Sequence, residues 1–215
     1  MIERGVIFDL DGVLVDSEPL HCRAFQEILL PYGIRLTERE YYDRYIVYSD
    51  QEVLERVLPD PGLVRAALVA KERRYRELLE AGVPAFPDGL VLLSHTDGWR
   101  VGLATGSLRR EAELVLRSLG ILDRFRTVVT RDDCRNGKPD PEPFLRAAGG
   151  LHLPPQRCVV IEDTPGGIQA AKAAGMLCVA VTHSCSRHSL AAAELVVDDL
   201  GTVELAALLA DEARW

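Results

Sequence analysis

Hydrophobic positions along this chain fall into short continuous runs, each followed by a stretch with a three-to-four residue period. Apolar runs with no internal alternation mark strands buried on both faces, and here they predict strands over 5–10, 101–105, 127–130, 158–161, 178–181 and 195–197. Helical periodicity fills the gaps at 107–119, 141–151, 165–174 and 203–210. Strand and helix in alternation predict an α/β fold built on a parallel sheet. The helix after Asp163 is well punctuated, with Thr164 as N-cap, Pro165 at the first helical position and Gly175 just past the end.

Between about 17 and 85 the alternation stops. No strand pattern appears there, while 63–79 reads as a long amphipathic helix and 20–30, 38–45 and 50–58 as shorter ones. This predicts a helical insertion at 17–85 in a core made of 1–16 and 86–215, with hinges where proline and glycine punctuate the chain near 16–19 and 81–87.

The 215 residues, 47% hydrophobic, suffice for one core and a modest insertion. With 25 basic against 33 acidic residues the net charge is −8, and no basic block is present, which argues against nucleic acid or an anionic membrane as partner. No apolar run approaches the ~20 residues a membrane span needs. The N-terminus leads straight into a strand, so a cytoplasmic protein, expected to be monomeric, is anticipated. Five scattered cysteines with no Cys-x-x-Cys pair fit that compartment, and Cys185 and His188, even with His183, are too few for a structural zinc site.

Candidate chemistry sits at the ends of the apolar runs. The first ends in Asp9-Leu10-Asp11-Gly12, the second in Thr105-Gly106-Ser107 and the fourth in Glu162-Asp163, while Lys138 lies in the turn-rich stretch 136–141. Two carboxylates this close repel unless a cation or donor lies between them, as in a magnesium-dependent phosphate site. In an open parallel sheet the carboxyl ends of the strands line one crevice, so residues distant in sequence can converge there. Taken singly, Lys138 also reads as a solvated turn lysine and Thr105 as a strand-end cap.

Asp9-Leu10-Asp11-Gly12, Thr105, Lys138 and Glu162-Asp163, in this order, resemble the four motifs of the haloacid dehalogenase superfamily, and the match spans nearly the whole chain. The segment from Asp16 to His21, Asp-Ser-Glu-Pro-Leu-His, is similar to the branch that includes small phosphatases and β-phosphoglucomutases. The resemblance implies a Rossmann-like core with an α-helical cap and a phosphatase acting on a small phosphorylated metabolite. In that scheme Asp9 is the nucleophile, Asp11 the acid and base, and Lys138 and Thr105 steady the phosphoryl oxygens. Mg2+ is held by Asp9, the Asp11 carbonyl and Asp163, with Glu162 a direct or water-mediated ligand, and Gly106, Ser107, His21 and Arg44 are candidate substrate contacts.

Asp11 is informative within the superfamily, because dehalogenases and phosphonate-cleaving relatives lack an acid there and the ATP-driven pumps carry threonine. A hexose phosphomutase is the alternative. Mutases usually carry a Gly-x-Ser-Arg element in the first cap helices, whereas this chain has Tyr45-Ile46-Val47-Tyr48-Ser49-Asp50, an acid where the arginine would be. Arg44 could substitute, though it also reads as an ordinary surface arginine, and His21 as a helix-surface histidine. A phosphoacceptor signalling module, the third reading, does not fit an aspartate pair after the first strand or an inserted cap.

Overall fold

The computed structural model describes residues 3–46 and 48–208. By internal contacts the chain divides into two units, one made of the residues up to Asp16 together with Pro84 onward, the other of Ser17–Val83.

The first unit carries all six strands among the described residues: β1 (Gly5–Phe8), β2 (Arg100–Ala104), β3 (Thr127–Val129), β4 (Cys158–Glu162), β5 (Leu177–Val181) and β6 (Leu195–Val197). They form one sheet in the order β3-β2-β1-β4-β5-β6, every neighbour parallel. Ile7 is level with Gly102 on one side and Val160 on the other. That order reverses direction between β1 and β4, and at such a switch point the connections leave on opposite sides and open a crevice beyond the carboxyl ends of the strands.

Successive strand residues point to opposite faces. Ile7, Ala104, Val160, Cys178 and Ala180 pack on one face with Phe144, Ala147, Ala148 and Leu151 of one helix and Ile168, Ala170 and Ala171 of the next. Val6, Phe8, Leu103, Val159, Ile161 and Val179, on the other face, are buried just as fully. Burial on both faces is why these strands read as unbroken apolar runs.

The regular elements of the second unit, among the described residues, are helices, with α1 (Glu18–Leu29), α2 (Glu38–Arg44), α3 (Asp50–Val57) and α4 (Pro61–Ala81). Thr37 and Ser49 begin α2 and α3 through reciprocal capping boxes with Glu40 and Glu52, and Asp60 caps α4 through the Gly62 amide. Phe25, Leu29, Tyr41, Val53, Leu54, Val64 and Ala67 form its core. Lys71 lies within this unit with 1% of its side chain exposed.

The chain re-enters the first unit at α5 (Pro87–Ser94), a helix the sequence reading passed over as punctuation; α6 (Arg109–Ser118), α7 (Glu142–Leu151), α8 (Pro165–Ala173) and α9 (Leu205–Leu208) follow. Pro87 is in fact pre-set for the first helical position, Asp88 complements the helix dipole, and the buried position 89 requires glycine because a β-carbon there would come within 2.2 Å of the Val13 carbonyl. The last two residues of the expected helix 203–210 lie outside the described residues. Beside α5, Asp16 donates its amide to Pro84 at 2.8 Å, and Val15 bridges Ala85 antiparallel.

Candidate active site

Each strand that ends at the crevice delivers one part of the site. Asp9 follows β1 and keeps its ladder bond, its amide donating to the Ile161 carbonyl at 2.9 Å, which sets its carboxylate beside the end of β4. Leu10, expected as the end of the strand, is instead the pivot of a turn. Its carbonyl accepts from Leu14 at 2.9 Å and from Val15 at 3.1 Å, and its apolar side chain is buried. Gly12 then adopts φ +77°, and a β-carbon on it would lie 1.8 Å from Asp163 Oδ2. Only glycine permits both that backbone and that approach.

Lys138, in the loop before α7, reaches the same point. Its ammonium donates to Asp9 Oδ1 at 2.8 Å and to Glu162 Oε1 at 2.5 Å. The other oxygen of Glu162 accepts from the Asp163 amide, the Thr164 amide and the Thr164 hydroxyl, all within 3.1 Å. With both oxygens engaged, the fully buried Glu162 anchors Lys138 and the start of α8, where Thr164 caps the Gly167 amide as its sequence position predicts.

The Asp11 carboxylate turns toward the end of β2. Its Oδ2 accepts from the Ser107 hydroxyl at 2.6 Å and lies 3.4 Å from the Thr105 hydroxyl, which itself accepts from the Ser107 amide. Gly106 is exposed beside them. Of the expected substrate contacts, Ser107 is therefore held by Asp11, while His21 and Arg44 belong to the helical unit.

Electrostatics at the three central acids are unbalanced. Asp9, Glu162 and Asp163 each bring a carboxylate oxygen within 4.8 Å of the others. Burial, reinforced by Glu162 and Asp11, pushes the Asp9 carboxyl up to about 7 despite Lys138. Asp163 is raised well above the usual carboxylate range by burial and then by Glu162 and Asp9. Burial works against the charge on Lys138, but the attraction of Asp9 and Glu162 outweighs it and holds the ammonium charged. Asp163 Oδ1 is buried with no hydrogen-bond partner. A crowded set of hard oxygen donors, one of them buried and unpartnered, is what a divalent cation satisfies, so these residues fit magnesium.

Two features escaped the sequence reading. Lys71 donates to Asp50 Oδ2 at 2.5 Å and to His21 Nδ1 at 2.6 Å, and His21 stacks on Tyr75 with centroids 3.9 Å apart. The signal was available, because Ala67, Lys71, Tyr75 and Leu79 recur every four residues along the buried stripe of α4. The turn after β5, weighed in the sequence only for zinc, brings His183 and Ser184 to the Asp11 and Asp163 loops. Its only sequence clue is its position at the carboxyl end of a strand.

Residues 6–181 match the haloacid dehalogenase-like hydrolase family. The chain is 32% identical to validoxylamine A 7'-phosphate phosphatase of Streptomyces hygroscopicus subsp. limoneus, over 93% of this chain and 95% of that one. It is 34% identical to β-phosphoglucomutase of Bacillus subtilis (strain 168), over 83% of each. In structure it is similar to CbbY from Rhodobacter sphaeroides, solved in complex with phosphate, with a TM-score of 0.80, 26% identity and coverage of 94% of this chain and 96% of that one. Four motif segments converging at one switch point, in a chain matched over most of its length, make this protein a member of the haloacid dehalogenase-like hydrolases, in the branch that includes phosphatases and β-phosphoglucomutases.

Proposed function

We propose that the protein is a magnesium-dependent phosphatase that hydrolyses a small phosphate monoester through an aspartyl-phosphate, with Ser17–Val83 serving as the cap. The observation that carries this reading is the pairing of two differently housed aspartates at the switch point. Asp9 is buried and clamped by Lys138, whereas Asp11 stands two residues away against hydroxyls on the β2 side. Asp9 attacks phosphorus and forms the acyl phosphate as the ester oxygen departs. Asp11 gives that oxygen a proton, then takes one from the water that attacks the phosphorus of the acyl phosphate and releases inorganic phosphate.

Charge gathers on the equatorial phosphoryl oxygens in both displacements, and Lys138, the Thr105 hydroxyl and the amides near Gly106 are the donors suited to meet it. Magnesium would be held by Asp9, the Asp11 carbonyl and Asp163, and would neutralise part of that charge when bound. Glu162, expected as a direct or water-mediated metal ligand, has both oxygens engaged and serves in this reading to keep Lys138 placed and charged.

The phosphomutase reading is favoured by the likeness to the Bacillus subtilis β-phosphoglucomutase. Against it, a mutase must hold a bisphosphate by a cation in the cap, and this cap commits its buried ammonium to Asp50 and His21. A panel of phosphorylated sugars and small acids, with free phosphate and sugar-phosphate isomer assayed together, tests the choice. Phosphate release should exceed interconversion of glucose 1-phosphate and glucose 6-phosphate in the presence of a bisphosphate primer. Isomerisation at least ~10-fold faster than release would replace the phosphatase with the mutase, since tenfold corresponds to only about 1.4 kcal/mol in partitioning between water and a sugar hydroxyl.

A further inference from the structure

The ring of His183 is held on three sides. Its Nδ1 lies 2.9 Å from the Gly12 carbonyl oxygen, its face stacks on Phe86 with centroids 3.8 Å apart and planes 12° apart, and its Nε2 lies 3.2 Å from Asp88 Oδ2. A carbonyl oxygen only accepts, so Nδ1 is the donor in the first contact. The two supports are themselves fixed: Asp88 Oδ2 accepts from the Leu200 amide at 2.8 Å, and the Phe86 amide donates to Leu14 at 3.0 Å. The next residue, Ser184, donates its hydroxyl to the Asp163 carboxylate.

Neither the sheet ladder nor the helix packing calls for an imidazole at this place. What it touches is the residue after Asp11, at the point where the backbone takes its left-handed step. Asp11 is thus held from two directions, its carboxylate by Ser107 beyond β2 and its backbone loop by His183 beyond β5. A general acid must lie within hydrogen-bond reach of the departing oxygen, and a small displacement of its backbone removes that reach.

We propose that His183, oriented by Asp88 and Phe86, is a positioning residue for Asp11: it fixes the Gly12 carbonyl and thereby the loop that presents the acid to the leaving group. The inference rests on the phosphatase reading for its chemical consequence, though not for the contact itself. His183 exchanges no proton with substrate. Supporting groups of this kind typically contribute about 10- to 100-fold to the activity of the residues they orient.

The test compares His183→Ala, His183→Asn and Asp88→Asn with the wild type on two esters, an alkyl phosphate such as a sugar phosphate and p-nitrophenyl phosphate. Nitrophenolate leaves without a proton, so a misplaced acid harms the alkyl ester more. His183→Ala should lose about 10- to 100-fold in kcat/KM on the alkyl ester and markedly less on the nitrophenyl ester. His183→Asn, whose amide can donate from the Nδ1 position, should recover most of that loss, and Asp88→Asn should show the same selectivity in weaker form. Hydrogen exchange by mass spectrometry supplies a readout independent of turnover, in which amides of residues 12–15 exchange faster in His183→Ala and return toward wild type in His183→Asn. Equal losses on both esters, or unchanged exchange in that loop, would overturn the proposal. If the wild type cleaves neither ester the phosphatase reading fails, and the exchange comparison still decides whether His183 holds the loop.

Discussion

Replacing Lys138 by methionine keeps the length of the side chain and its contact with Phe144, whose ring centroid lies 4.9 Å from the ammonium, while removing the charge between Asp9 and Glu162. At an effective dielectric of about 20, a unit pair 2.8 Å apart attracts by about 6 kcal/mol before desolvation, and truncating one partner of a buried pair typically costs about 3–5 kcal/mol. Protonation relieves part of this. The Asp9 carboxyl already stands at about 7, so in neutral solution it takes up a proton at a cost below ~1 kcal/mol, which draws the expected loss to about 2–3 kcal/mol.

The sign of the pH dependence follows. A carboxyl whose folded pKa is raised binds a proton that the unfolded chain has released, so its contribution falls as pH rises toward the folded value. In EDTA the wild type stops losing stability from this source above about pH 7. The variant, with Asp9 raised further, goes on losing it, and the gap between them should widen by about 1–2 kcal/mol from pH 7 to pH 8.5. Urea denaturation at several pH values measures the gap. Turnover should drop by about 10²- to 10³-fold, as for loss of one preorganised donor to transition-state charge. A gap that stays flat with pH, or kcat/KM within tenfold of wild type, would refute the clamp.

Asp9→Asn should abolish turnover by more than about 10⁴-fold while leaving thermal stability equal or higher, because one of three crowded carboxylates loses its charge; near-normal activity in the folded variant would remove Asp9 from the mechanism. Activity should vanish in EDTA and return with magnesium, and magnesium should also raise the melting temperature in proportion to its binding, whereas full activity in a metal-stripped sample would sink the site. His21 is held well below the ordinary histidine range by burial and then by Lys71, so its stabilising share is complete above about pH 6.5 and declines as acid protonates the unfolded chain first. Thermal melts from pH 7.5 to 5.5 should therefore show a smaller acid loss in His21→Gln than in wild type, and identical slopes would contradict the assignment.

What the sequence made legible was whatever a single strand or turn decides. Val159, Val160 and Ile161 must be buried on both faces, so their run announces β4, and Thr164-Pro165 can begin a helix by local chemistry alone. Asp9, Lys138, Glu162 and Asp163 could be grouped because the rule for parallel sheets brings strand ends together. Illegible were features in which tertiary contacts override local preference. Leu10 looked like strand because it is apolar, yet its carbonyl closes a turn onto the amides of Leu14 and Val15. The segment around Pro87 and Gly89 looked like a linker because the reason for Gly89, the approach of Val13, lies 76 residues away in sequence. His183 entered only as a third member of a set too small for zinc, since its place depends on Gly12, Phe86 and Asp88 around it.

The hydrogen bond from the Asp16 amide to the Pro84 carbonyl, with the Val15–Ala85 bridge beside it, makes the helical segment a closed excursion whose exit and return are neighbours on the core's own backbone. Nothing in the register of the six strands depends on how long the chain travels between those two points, and closing a loop grows costly only slowly with length. The junction therefore behaves as a socket. Helical segments of different length can be accommodated between Asp16 and Pro84 while the acids, the lysine and the sheet that orders them stay as they are, so on the proposed reading of this segment as a cap, substrate preference is built separately from the chemistry.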